Sequence, residues 1–82
     1  MFYKVNKVKP LDDMTVFVEF VEGSEKIYDV KPLMSKWKIF EDLLNRDLFN
    51  RVRVDVGGYG IIWNENIDLS CNELWENGKQ FF

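Results

Sequence analysis

The most constraining feature of the chain is a valine ladder that runs into a cluster of glycines. From Arg51 to Val56, Val52, Val54 and Val56 alternate with Arg51, Arg53 and Asp55, the period of two that puts one row of a β-strand against a core and the other in water. Gly57-Gly58-Tyr59-Gly60 follows at once. Three glycines in four residues supply the positive φ angles of a tight reversal, so Gly60 to Trp63 is expected to pair back as a second strand. A chain built around this hairpin belongs to a β-containing class.

The first third repeats the theme. Met14, Val16, Val18 and Phe20 alternate with Thr15, Phe17 and Glu19, Glu22-Gly23-Ser24-Glu25 offers a turn, and Lys26 to Val30 returns as a strand. Ahead of them, Tyr3 to Lys9 is strand-like, but Val5 and Val8 stand three apart, so either a bulge intervenes or they face opposite sides. Pro10-Leu11-Asp12-Asp13 joins this strand to the next with turn chemistry.

The period changes after Pro32. Trp37, Phe40, Leu43 and Leu44 recur at helical spacing and predict a helix over about 36–45 with Ser35 as its cap, although Lys36 and Lys38 sit poorly against the positive end of a helix dipole. Pro32-Leu33-Met34 reads as a separate short turn and Asp47-Leu48-Phe49 as another. Near the end, Ser70-Cys71-Asn72-Glu73 is a capping box, in which Ser70 and Glu73 bond each other's backbone N–H groups. Leu74 and Trp75 are the apolar anchors of that helix and Gly78 its stop. The expected fold is therefore α+β: a single domain over residues 1–82 with about five mainly antiparallel strands, one helix after the third strand and a short C-terminal helix.

Composition narrows function by exclusion. The chain has no histidine and a single cysteine, Cys71, which removes disulfide frameworks, Cys/His zinc sites and imidazole-based catalysis; Cys71 is expected as a small buried filler. No cofactor is implied. Eleven basic residues against fourteen acidic ones give a net charge of −3, the wrong sign for a general nucleic-acid binder. The charges alternate in blocks: +3 over residues 1–10, −5 over 11–25, +3 over 26–54 and −4 over 55–82. Without an apolar leader or any run of 18 apolar residues, the expected location is the cytoplasm, away from membrane.

Several stretches together resemble the small bacterial domain-of-unknown-function family 2442. They are Val16-x-Val18-x-Phe20-x-x-Gly23, Tyr28-Asp29-Val30, Phe40-x-x-Leu43, Phe49-x-x-Val52-x-Val54 and, most specifically, Ile62-Trp63-Asn64-x-x-x-Asp68-Leu69 leading to Leu74-Trp75. The family's usual Trp-Pro-x-Gly turn is replaced by Trp63-Asn64-Glu65-Asn66, and its usual tyrosine near the end corresponds to Trp75. The resemblance implies an α+β domain with no established activity and no known catalytic set. Some relatives look like members of toxin–antitoxin-type gene pairs.

Three groups of residues are candidates for function. Aromatic residues on strands and helices are read first as core, because a short domain needs bulky side chains to fill a thin interior. Phe17 departs from this, standing on the polar side of its strand, so that either a helix covers it or it joins Tyr59, Phe81 and Phe82 in an exposed contact patch. Trp63, Asn64 and Asp68 could hold a polar ligand, against the simpler reading that Asn64 and Asn66 make Asx turns and Asp68 bonds free N–H groups in the loop before Ser70. Arg46, Arg51 and Arg53 could grip phosphate or an acidic partner; cross-strand pairing of Arg51 and Arg53 with Asp55 is the plainer account. Asp12, Asp13, Asp29, Asp55 and Asp68 raise the question of carboxylate catalysis or a hard metal, but Asp12-Asp13 sits at a plain turn and no stretch has the ligand density of a calcium loop. The best functional expectation is a non-enzymatic module that binds a protein partner or itself. The alternatives are a regulatory, nucleic-acid-associated accessory and, last, a small carboxylate-based enzyme.

Overall fold

Strand β2 (Thr15–Phe20) sets the interior of the protein. In the structure, a computed structural model that describes residues 2–81, Val16, Val18 and Phe20 are fully buried while Thr15, Phe17 and Glu19 lie on the other side. β1 (Val5–Pro10) and β3 (Glu25–Asp29) flank it antiparallel, with Lys9 opposite Phe17 and Phe17 opposite Ile27. The irregular spacing of Val5 and Val8 is resolved by a bulge: the register shifts between Val5 and Lys7. The turn joining β1 to β2 holds Asp13 and Met14 at φ of 60° and 56°.

The helix expected over 36–45 is replaced by two shorter pieces. α1 (Leu33–Lys36) ends where Trp37 turns extended, at φ −135° and ψ 114°, and a 3-10 helix takes Lys38–Leu44. Three residues per turn stack Phe40 over Leu43, both buried, and leave Ile39 and Leu44 outside. Lysines at 36 and 38 disfavour an α-helical start at this point. Ser35 caps nothing; from within α1 its hydroxyl donates to the carbonyl of Pro32, the residue before the helix. The turn at 47–49 is present as α2 (Arg46–Phe49), capped by the Asn45 side chain, which accepts from the N–H groups of Asp47 and Leu48.

The valine ladder is shorter than its alternation implies. Only Arg53–Val54 form a strand, β4, and Val56 is 91% exposed in a 3-10 turn over Val56–Gly58. The reversal itself stands, with φ of 76° at Gly57 and 80° at Gly58, and β4 pairs antiparallel with β5 (Gly60–Asn64). Asp55 ends the ladder early because its carboxylate accepts from the N–H of Val56.

Two strands were not expected. β6 (Ile67–Ser70) pairs with β5, and β7 (Lys79–Gln80) pairs with β3. The α+β antiparallel class therefore holds, with seven short strands among the described residues, in two sheets ordered β1-β2-β3-β7 and β4-β5-β6. The second sheet meets the first at β1, where Gly58 lies directly against the backbone of Val5. α3 (Cys71–Asn77) closes the interior with Cys71 and Leu74 buried. The capping box is half made: the Ser70 hydroxyl accepts from the Glu73 N–H, but the Glu73 carboxylate turns to Tyr28 and Asn77. Gly78 ends α3 without a left-handed turn; a Cβ there would meet the Leu74 carbonyl at 2.5 Å.

Candidate functional site

The structure disperses the Trp63 group. Trp63 is 1% exposed, its indole N–H donates to the carbonyl of Phe49 at 3.2 Å, and the two rings tilt against each other. It is a core residue. The side chain of Asn64 accepts from the N–H of Asn66 at 2.9 Å, closing the turn between β5 and β6. Asp68 does not serve a loop, because residues 67–70 are a strand; its side chain is exposed and accepts no hydrogen bond from the described residues.

The arginines do not form one patch. The Arg46 guanidinium donates to the Leu11 carbonyl at 3.1 Å and lies 5.0 Å from the centre of the Phe49 ring. Arg51 sits in the turn after α2, outside any strand, and Arg53 on β4 faces solvent. Their pairing with Asp55 is absent, and the salt bridges among the described residues join Lys31 to Asp13 at 3.2 Å and to Asp29 at 3.0 Å. The bond from Lys31 to Asp29 leads the causes that raise the lysine's pKa above its ordinary value.

The aromatic patch divides in two. Phe17 meets Phe81 edge-to-face, ring centres 5.4 Å apart, beside a shallow dent edged by Lys9, Leu11 and Glu25. Tyr59 instead packs on Phe2 at 5.6 Å under the Lys4 ammonium, near the other end of β1. Phe82 lies outside the described residues. Trp37, expected in the core, is 55% exposed. Trp75 is half-buried, stacked on Tyr3 at 3.7 Å with Lys26 over its ring at 4.3 Å.

Sequence reasoning missed a cleft of about 900 Å³ between β3, β6, α3 and the α1 segment. Tyr28, Asp29 and Lys31 line one side, Asp68, Leu69 and Glu73 another, and Leu33, Trp37, Ile39 and Phe40 an apolar wall. At its base the Tyr28 hydroxyl donates to Glu73 at 2.7 Å, and Asn77 donates to the same carboxylate oxygen at 3.0 Å. Burial first, then the bond and charge of Glu73, push the Tyr28 phenol above its ordinary pKa.

A family described as a protein of unknown function (DUF2442) matches residues 5–80. The chain belongs to the DUF2442 family. The match runs from the start of β1 to the end of β7, so both sheets and the cleft fall within the DUF2442 unit. No curated protein and no solved structure matches the chain. Most residues that carried the likeness are core: Val16, Val18, Phe20, Val30, Leu43, Phe49, Trp63 and Leu74 are all buried. The DUF2442 pattern thus encodes how the chain packs. Two polar members, Asp29 and Asp68, reach the cleft. Among the described residues no helix is long and apolar enough to cross a membrane, and no set of three His, Cys, Asp or Glu side chains is placed to hold a metal ion.

Proposed function

We propose that this DUF2442 domain is a non-enzymatic interaction module that binds a protein surface, in the first instance a second copy of itself, through the outer face of the β1-β2-β3-β7 sheet. The observation that carries this reading is the edge-to-face pair of Phe17 and Phe81 beside Ile27, on a sheet face that no described helix covers. α3 reaches β3 only from the inner side, through Tyr28 and Lys26. Half-exposed aromatics ringed by charge (Lys9, Glu25 and Lys79) have the make-up of an interface centre and rim. The carboxylates most suited to chemistry are already engaged, Asp13 and Asp29 by Lys31 and Glu73 by Tyr28 and Asn77, which favours a binding role over a catalytic one.

Light scattering over a concentration series tests it. A dimer should form as concentration rises and be lost in Phe81→Ser, a change to an exposed residue of the terminal segment. A monomer at every concentration, or a dimer indifferent to Phe81→Ser, would count against this surface.

A further inference from the structure

Two strand edges end in the cleft without a partner among the described residues. On β6, the bond from the Cys71 N–H to the Tyr59 carbonyl makes those residues a hydrogen-bonded pair. Antiparallel pairs alternate between bonded and unbonded. Ile61 and Leu69 therefore bond each other, and the backbone N–H and C=O of Asp68, opposite Ile62, point away from β5. On β3, the bonds Val30 N–H to Met14 O and Phe20 N–H to Ser24 O fix the same parity, so the backbone groups of Ile27 and Asp29 point away from β2. β7 takes up Ile27 opposite Lys79 and begins there, leaving Asp29 without a strand beside it. Unpaired edges of this kind template another strand.

We propose that the cleft receives an extended segment of a partner protein, which adds to the free edge of β6 as a further strand and carries a lysine or arginine opposite Asp68 with apolar residues on either side of it. The side-chain preference follows from the pleat. A residue opposite Asp68 shares its outward face, where cross-strand charge pairing acts; its neighbours turn inward, towards Leu69 and the apolar wall of Trp37 and Ile39. Charge points the same way. Residues 55–78 carry Asp55, Glu65, Asp68, Glu73 and Glu76 and no lysine or arginine, and of these Asp68 and Glu73 line the cleft. None of these five acids is ion-paired among the described residues, whereas the charge of Lys31 is met twice, by Asp13 and Asp29. Lys36 and Lys79 belong to the α1 and β7 walls. The inference deepens the reading of the domain as an interaction module, but at a surface that meets the Phe17 face along Ile27 and Lys79.

The test uses the whole chain and three ten-residue peptides, alternating valine with lysine, glycine with lysine, and valine with glutamate. Binding is followed by tryptophan emission, assigned with Trp37→Phe, and by hydrogen exchange of the Asp68 amide. The valine–lysine peptide should bind best and slow Asp68 exchange at least tenfold at saturation. Asp68→Lys should weaken that peptide about five- to tenfold and strengthen the valine–glutamate one. Equal binding of the glycine–lysine peptide, unchanged Asp68 exchange at saturation, no binding at millimolar peptide, or indifference to Asp68→Lys would each overturn the proposal. Phe81→Ser should leave the peptide titration unchanged, so failure here is distinguishable from failure of self-association.

Discussion

Trp63→Phe separates a structural tryptophan from a ligand-binding one. The substitution keeps an aromatic ring beside Phe49 but removes three heavy atoms, the indole nitrogen and its hydrogen among them. Trp63 is 1% exposed, so the lost atoms leave space that nothing fills, at about 0.8 kcal/mol for each methylene-sized group, or roughly 2 kcal/mol in all. The Phe49 carbonyl loses the donor it holds at 3.2 Å in a buried setting, which costs about 1–3 kcal/mol when the acceptor is left unpaired. Partial collapse offsets part of this, and a net loss of about 3 kcal/mol is expected. For a domain of this size each kcal/mol moves Tm by roughly 4–8 °C, so thermal unfolding followed by circular dichroism should drop by at least 12 °C or so. Trp37→Phe, at a 55% exposed position, should stay within about 0.5 kcal/mol of the parent. If Trp63→Phe unfolds at the parent temperature, the indole is not the core element described here, and Trp63 again becomes a candidate for function.

Two further outcomes follow from backbone and hydroxyl chemistry. The raised pKa of Tyr28 means the folded protein keeps the phenol proton above pH 10.0, the ordinary value at which the unfolded chain gives it up; stability is therefore intact below that pH and falls as pH rises beyond it. Urea midpoints between pH 8 and 11 should drop more steeply for the parent than for Tyr28→Phe, and parallel slopes would refute the link. Gly58→Ala should cost about 2–3 kcal/mol, from left-handed strain of about 1–2 kcal/mol plus overpacking, because φ is 80° and the added Cβ would meet the Val5 carbonyl at 2.8 Å. Gly23→Ala, with φ of 108° and nothing within 4 Å, carries only the strain; equal losses at the two sites would show that the Val5 contact is unimportant.

How much of the fold could be read from residue order depended on whether side chains or backbone made each element. β2 was legible because its buried and outward residues alternate without interruption, and the Gly57-Gly58 reversal because only glycine takes those φ angles cheaply. The segment 36–45 departs from the expected helix because Phe40 and Leu43, three apart, fit a pitch of 3.6 as well as 3.0; the extended Trp37 and the exposed Leu44 decide for 3.0. Val56 completes an alternation yet lies in water, since a cap made by Asp55 overrides a strand preference worth a fraction of a kcal/mol. β6 had a signal, Ile67 and Leu69 in and Asp68 and Ser70 out, masked by reading Ser70 only as a helix cap; it is both. β7 had none: its two residues are exposed, and its pairing rests on backbone bonds that any sequence could make.

The candidate sites divide along the same line. Phe17 stood out as an apolar residue on the wrong side of its strand, and the structure gives it Phe81 as neighbour. Asp68 was found for a reason that failed, the service of a loop, and matters instead because its backbone lies on an open edge. The cleft could not be read at all, since its walls come from segments around 13–15, 27–40, 66–70 and 73–79 that only the strand order brings together. An unpaired edge is fixed by where a ladder stops, and no residue type marks that. What the sequence can mark is the kind of partner such an edge tolerates. A stretch from 55 to 78 with five acids and no base repels other acidic strands, including its own copy edge to edge. That repulsion separates the two surfaces: the Phe17 face is left to meet a like copy, and the β6 edge a segment of opposite charge.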